Sequence, residues 1–293
     1  MPLLGRRSVL AGAAALAVAG CARQTAVAAP QLDLSGLEAR LGGRIGLSLE
    51  GPQQRLAWRG DERFTYCSTF KLFLATAFQQ KVARGQADWD RQLPVTAQDM
   101  VEHAPVTGPA VGGQLSIADL CQAAVVLSDN PAANILIREL GGLEAFQQWY
   151  RAMGDQVTRV DRWETDLNIV DGDKDTTTPD QAVANLERIK PDVFRSHDGR
   201  FPRLLEWATN GRSPGRIRAG LPTGRGLTLV HKTGTGTAGL THEIAYILPQ
   251  GGGADEALKL ALYYQPGTDA SLEQREAVMA EATRMALAAL GHG

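Results

Sequence analysis

Leu227-Thr228-Leu229-Val230-His231-Lys232-Thr233-Gly234-Thr235-Gly236-Thr237-Ala238-Gly239 decides how this chain folds. Its first six residues read as a strand, and residues 234–239 match the dinucleotide pattern G-x-G-x-x-G. That pattern requires a helix N-terminus next, whose backbone N–H groups would face a pyrophosphate. Residues 244–248 and 258–264 read instead as two more strands. The glycines therefore form a hairpin turn, and the sheet is antiparallel. A last helix over residues 271–290 packs back on that sheet. Ser271 and Gln274 make its capping box, Val278, Ala282, Met285 and Ala289 share one face, and Gly291 follows its end.

Working outward, Leu34, Leu37 and Leu41 share a helical face, while Ile45, Leu47 and Leu49 alternate with small or polar residues as a strand. Residues 54–59 form its hairpin partner. Residues 69–80 are apolar nearly all round and predict a buried helix. Between these ends the chain is helical. Ser116 with Asp119 caps one helix, Pro131 and Gly141-Gly142 bracket a second with Asn130 as a candidate N-cap, and Thr178-Pro179-Asp180 opens a third. The expected organisation is a discontinuous α/β domain from residues 31–65 and 208–293, with a helical domain inserted over residues 66–207. The cleft between them is the natural site.

The 293 residues carry 30 Lys+Arg against 32 Asp+Glu, a net charge of −2, so no cationic excess is available to follow a nucleic-acid backbone. Three cysteines, 21, 67 and 121, are too few for a disulfide framework, and the five histidines lack metal-ligand spacing. No metal or cofactor is expected. Residues 1–30 read as an export signal, with Arg6-Arg7 before a short apolar run that suggests the twin-arginine route. Two exits follow: Val18-Ala19-Gly20-Cys21 resembles a lipobox that would anchor the protein at Cys21, and Ala26-Val27-Ala28 fits a cleavage site that would release it. The mature protein is thus expected in the periplasm or secreted, with no membrane span, and a monomer is the default.

Gly211-Arg212-Ser213-Pro214-Gly215 matches the nucleophile elbow G-x-S-x-G, but no strand precedes it, and Ser213 reads as an exposed loop serine. A different set carries the chemistry: Ser68-Thr69-Phe70-Lys71, Ser128-Asp129-Asn130, Glu164 with Asn168, and Lys232-Thr233-Gly234. Each alone reads as capping or surface chemistry. Together and in this order they resemble the class A serine β-lactamases over nearly the whole mature chain. Arg162-Trp163-Glu164-Thr165-Asp166-Leu167-Asn168 and Asp175-Thr176-Thr177-Thr178-Pro179 are similar to that family's omega loop, here residues 162–177 and one residue shorter than in common members.

That resemblance implies an α+β fold, a three-layer α/β/α sandwich with an antiparallel sheet and an inserted all-α domain. It also implies hydrolysis of penicillins and cephalosporins through an acyl-serine. Ser68, opening the buried helix, is the expected nucleophile, with Lys71 one turn on and in reach of its hydroxyl. Ser128 relays a proton to the leaving amine, and Glu164 with Asn168 activates the deacylating water. The backbone N–H groups of Ser68 and Thr235 form the oxyanion hole. Lys232, Thr233 and Gly234 meet the substrate carboxylate. Thr241 stands where many members place an arginine for that carboxylate, and Arg216 matches the alternative site. Asn130 is expected to bond the substrate's side-chain amide, His103 to stand at the cleft mouth, and Arg162 to pair with Asp175. Gly236 and Ala75 stand where partners for Cys67 and Cys121 would be needed, so both thiols are expected free. The alternative reading is a penicillin-binding D-Ala-D-Ala peptidase or a β-lactam sensor, which would acylate without turnover.

Overall fold

The computed structural model describes residues 31–195, 202–211, 213–267 and 269–292. The export segment with Cys21, together with His197 and Arg212, lies outside the described residues. Helix α1 (Ser35–Leu41) leads into β1 (Arg44–Glu50), which turns at Gly51 into β2 (Arg55–Trp58). Next come the short β3 (Phe64–Thr65), a 3-10 turn over Cys67–Thr69 and α2 (Phe70–Ala83). The strands β4 (Gln92–Pro94) and β5 (Gln114–Ser116) pair before helices α3 (Ile117–Val126), α4 (Asn130–Leu140) and α5 (Leu143–Ala152). Strand β6 (Thr176–Thr177) pairs with β3 at the base of the omega loop. Helices α6 (Pro179–Phe194), α7 (Arg203–Thr209) and α8 (Arg216–Gly220) then precede β7 (Thr228–Thr235), β8 (Thr241–Leu248), β9 (Leu258–Gln265) and α9 (Leu272–Ala289).

The main sheet runs β2-β1-β9-β8-β7, every neighbouring pair antiparallel. The glycine-rich stretch after β7 is a turn, as expected, with Gly236 N–H bonded to the Leu240 carbonyl. Helices cover both faces of the sheet. One core joins Leu34, Ile45, Leu47, Leu260 and Tyr264 to Met279, Ala282 and Ala286 of α9. The other joins Phe64, Tyr246, Ala261 and Tyr263 to α2, α3, α4 and α6. The segment inserted between β3 and α8 therefore shares its core with the sheet, and α6 lies directly on β1 and β9. Burial on both faces explains why Gly46 and Ser48 are as enclosed as the leucines they alternate with: a Cβ at Gly46 would meet the Phe64 ring at 2.3 Å.

Three local readings change. Asp129, not Asn130, caps α4 by accepting the Ala132 N–H, because the tight bend at Ser128 aims the aspartate back along the helix. The buried stripe of α9 is Val278, Met279, Ala282, Ala286 and Leu287, so Met285 faces solvent: the helix is rotated from the face its spacing suggested. Ser213 is buried rather than exposed, enclosed where the chain enters α8.

Candidate active site

The Cys67–Thr69 turn places Ser68 at the head of the buried helix α2, with Cys67 in the left-handed region and the Thr69 hydroxyl donating to the Tyr66 carbonyl at 2.7 Å. Strand β7 presses against this turn through Gly234, where a Cβ would lie 3.0 Å from the Tyr66 carbonyl oxygen. The Ser68 hydroxyl donates to Glu164 Oε1 at 3.4 Å. Lys71, fully buried, forms an ion pair with the same Oε1 at 2.9 Å and donates to Ser128 O at 2.8 Å and Asn130 Oδ1 at 2.5 Å. Burial lowers the Lys71 pKa, and Glu164 opposes that shift. Among the described residues no hydrogen bond joins Lys71 to the Ser68 hydroxyl. The amine is held one step away, by the carbonyl and amide of the 128–130 turn.

That turn is fixed by Asp129, fully buried, which accepts from the N–H groups of Val106, Thr107 and Ala132 and from the Thr107 hydroxyl. Asn130 spans between Lys71 and the Glu102 carbonyl, to which its Nδ2 donates at 2.9 Å. Its carbonyl is engaged by Lys71, which leaves one amide hydrogen for any substrate. One turn further along α4 stands Asn134, which the motifs do not include. Its amide clamps the backbone of Glu164, accepting from the Glu164 N–H at 2.9 Å and donating to the Glu164 carbonyl at 2.8 Å. Helical spacing from Asn130 was the available signal.

The omega loop carries Glu164 inward. Arg162 Nε pairs with Asp175 Oδ2 at 2.5 Å across its base, as the resemblance implied, and Arg162 Nη2 donates to Ile169 O at 2.7 Å. Asp175, fully buried, also accepts from the N–H groups of Asp161 and Arg162. Asn168 Nδ2 donates to Glu164 Oε2 at 2.5 Å, and Asn168 Oδ1 is buried with no partner among the described residues.

Across the cleft, Lys232 donates to Ser128 Oγ at 3.1 Å and to the Thr233 carbonyl at 2.8 Å. Its pKa falls well below the ordinary lysine value, first through burial and then through the cations Lys71 and Arg216. Arg216 is buried behind β7. Its Nη1 donates to the carbonyls of Gly234 and His242, its Nη2 to Thr235 Oγ1 at 2.8 Å, and its Nε to Glu276 at 3.1 Å. Thr235 itself is exposed to the cleft, and Thr241 is buried with its hydroxyl on Gly239 O. His103 is exposed at the rim, its ring bonded to Leu127 O at 2.8 Å, and with Ser128, Lys232, Thr233, His231 and Gly211 it lines a cavity of about 430 Å³. Cys67 and Cys121 are free and buried, and a Cβ at Gly236 would press on Cys67 Sγ at 2.7 Å.

A serine heading a buried helix, two buried lysines and a carboxylate on an ion-pinned loop thus meet in one cleft. The Beta-lactamase enzyme family matches residues 33–290. This chain belongs to the class A β-lactamases. It is 36% identical to Beta-lactamase L2 of Stenotrophomonas maltophilia over 281 residues, which cover 92% of this chain and 91% of that protein. The class A β-lactamase from Mycobacterium abscessus superposes with a TM-score of 0.78 at 36% identity, covering 88% of this chain and 98% of the other. The last common ancestor of Gram-negative bacteria class A β-lactamase gives 0.79 at 37% identity, covering 88% and 97%. As a β-lactamase the chain has the fold expected of it, a helix-covered antiparallel sheet.

Proposed function

We propose that this β-lactamase hydrolyses the β-lactam amide of penicillins and cephalosporins through an acyl-Ser68 intermediate and so protects its host from them. The observation that carries this reading is the placement of Glu164. Its carboxylate is buried, lies 3.4 Å from the Ser68 hydroxyl, and is held by Lys71 and Asn168, with Asn134 clamping its backbone. Ser68 Oγ attacks the ring carbonyl and gives its proton to the Lys71–Glu164 pair, of which Glu164 is the member in hydrogen-bond reach. The oxyanion forms between the N–H groups of Ser68 and Thr235. Strand β7 is the outermost of its sheet, so alternate N–H groups along it point away from β8.

As the C–N bond breaks, the ring nitrogen takes the Ser128 hydroxyl proton while the neighbouring Lys232 ammonium stabilises the oxygen left behind; the proton that the Lys71–Glu164 pair took from Ser68 then restores the Ser128 hydroxyl and leaves Glu164 ionised again. Water then enters beside Glu164. The Asn168 side-chain oxygen, without a partner among the described residues, is a ready acceptor for one of its hydrogens, and Glu164 takes the other as the oxygen attacks the ester. The product leaves with a new carboxyl, and Ser68 regains its proton. The substrate's own carboxylate meets Lys232 and the hydroxyls of Thr233 and Thr235. Arg216 donates to the Thr235 oxygen, which leaves the Thr235 hydrogen free for the substrate. Asn130 offers its remaining amide hydrogen to the substrate side chain, and His103 borders the entrance.

The test is nitrocefin turnover by the purified protein beside Ser68→Ala. Turnover that falls by about a thousandfold or more in Ser68→Ala supports the reading. Wild-type protein that forms a stable adduct with benzylpenicillin and does not turn over would favour a penicillin-binding peptidase or sensor. Arg6-Arg7 and the apolar run that follows support export to the periplasm or beyond. Loss of activity from the exported fraction on Arg6→Lys/Arg7→Lys, with activity kept in the cytoplasm, is the expected result.

A further inference from the structure

Behind the cleft wall lies a buried pair that the hydrolytic mechanism does not use. His231, 1% exposed, is flanked on β7 by Lys232, and its Nδ1 bonds Glu243 Oε1 on β8. Its Nε2 faces the Gly211 carbonyl at 3.3 Å. Both ring nitrogens thus face oxygen atoms. Glu243 is fully buried, and its second oxygen accepts the N–H of Ile217 at 2.9 Å. Ile217 directly follows Arg216, whose own backbone is in the left-handed region, with φ of 52°. A non-glycine residue holds that conformation only where its surroundings impose it.

The Glu243 carboxylate is therefore the tie that fixes the peptide after Arg216. The guanidinium in turn is held by four hydrogen bonds, to Gly234 O, His242 O, Thr235 Oγ1 and Glu276. A shift of the Arg216 backbone would swing Nη2 away from the Thr235 hydroxyl at the cleft edge. His231 is also among the residues that line the cavity with Ser128 and Lys232. No side chain at Gly211 shares that space, and a Cβ there would lie 2.9 Å from His231 Nε2.

We propose that Glu243 is a positioning residue for Arg216, held in place by His231, and that the grip of the cleft on a substrate carboxylate depends on this buried pair. The inference rests on the reading of Arg216 and Thr235 given under Proposed function. Its test is a double-mutant cycle between Glu243→Gln and Arg216→Ala, read as the benzylpenicillin Kd in Ser68→Ala protein and as kcat and KM in protein that keeps Ser68. Glu243→Gln raises Kd by about tenfold, the scale of a displaced charge-assisted hydrogen bond, and the loss appears in KM rather than kcat. In the Arg216→Ala background the same substitution adds less than about twofold.

Losses that multiply in the double variant, or a loss confined to kcat, would overturn the proposal. If Glu243→Gln does not fold, His231→Gln/Glu243→Gln replaces both partners together and enters the same cycle with the same two outcomes. Wild-type turnover of nitrocefin is scored separately. Its absence would sink the hydrolase reading, whereas additive Kd losses would sink only the positioning role.

Discussion

The two lysines of the cleft share a residue type and burial but not an electrostatic setting. Lys71 is fully enclosed and has a carboxylate partner, Glu164, at 2.9 Å, together with two neutral acceptors. Lys232 is 3% exposed, donates only to a hydroxyl and a carbonyl, and has no carboxylate within ion-pair distance among the described residues. Its largest electrostatic influences after burial are two more cations, Lys71 and Arg216. A buried charge without a partner is costly, and the arrangement persists where a ligand supplies the missing charge. The Lys71 side of the cleft is thus internally balanced and suited to moving protons. The Lys232 side is short of one negative charge, which the substrate carboxylate provides.

The largest expected effect comes from breaking each side in turn. Lys71→Met strands the Glu164 carboxylate without its cation and should lower both kcat, by about a thousandfold, and stability, by about 1–3 kcal/mol. Lys232→Met removes a cation that has no carboxylate partner among the described residues. It should cut kcat/KM for benzylpenicillin by about a hundredfold while leaving the melting temperature unchanged or higher. Matched kinetics and thermal melts check both. Equal destabilisation by the two changes would erase the distinction between the two sides.

A smaller effect sharpens it. Lys232 carries its charge only below its lowered pKa, so kcat/KM for a carboxylate-bearing substrate should fall as pH rises through that value, earlier than for an ordinary lysine. Lys232→Arg stays charged and should move the alkaline limb to higher pH. An unmoved limb would mean that another group sets it. The smallest effect is a null one. Cys67 and Cys121 are free and buried, and burial raises both thiol pKa values, so dithiothreitol should leave activity within experimental scatter.

Local grammar makes much of this molecule legible. The capping boxes at Ser116–Asp119 and Ser271–Gln274 depend on side chains three residues apart, and both form as read. The turn at residues 236–240 follows from glycines between two strand patterns, and the absence of a helix pattern after them is enough to exclude a dinucleotide site. The motif residues Ser68, Lys71, Ser128, Glu164 and Lys232 converge in one cleft. Features set by tertiary packing are not legible. Helical spacing from Asn130 puts Asn134 near the site, but nothing in the sequence marks it as the clamp on Glu164, since the two are 30 residues apart. Glu243 and His231 meet only because β7 and β8 pair in one register, and the start of α8 is tied to both strands through Ile217 N–H and Arg216. Ser213 and Met285 exchange their expected environments for the same reason: helix rotation and loop enclosure depend on what the rest of the chain places beside them.

Hydrolysis rests most directly on the division of labour between Ser68 and Glu164. Intact-mass spectrometry of Glu164→Gln mixed with benzylpenicillin, followed by peptide mapping, measures it. The expected result is a long-lived adduct of one penicilloyl group on the peptide containing Ser68, while the wild type returns to its free mass as substrate is consumed. An adduct on another residue, or a Glu164→Gln variant that clears its adduct as fast as the wild type, would contradict it.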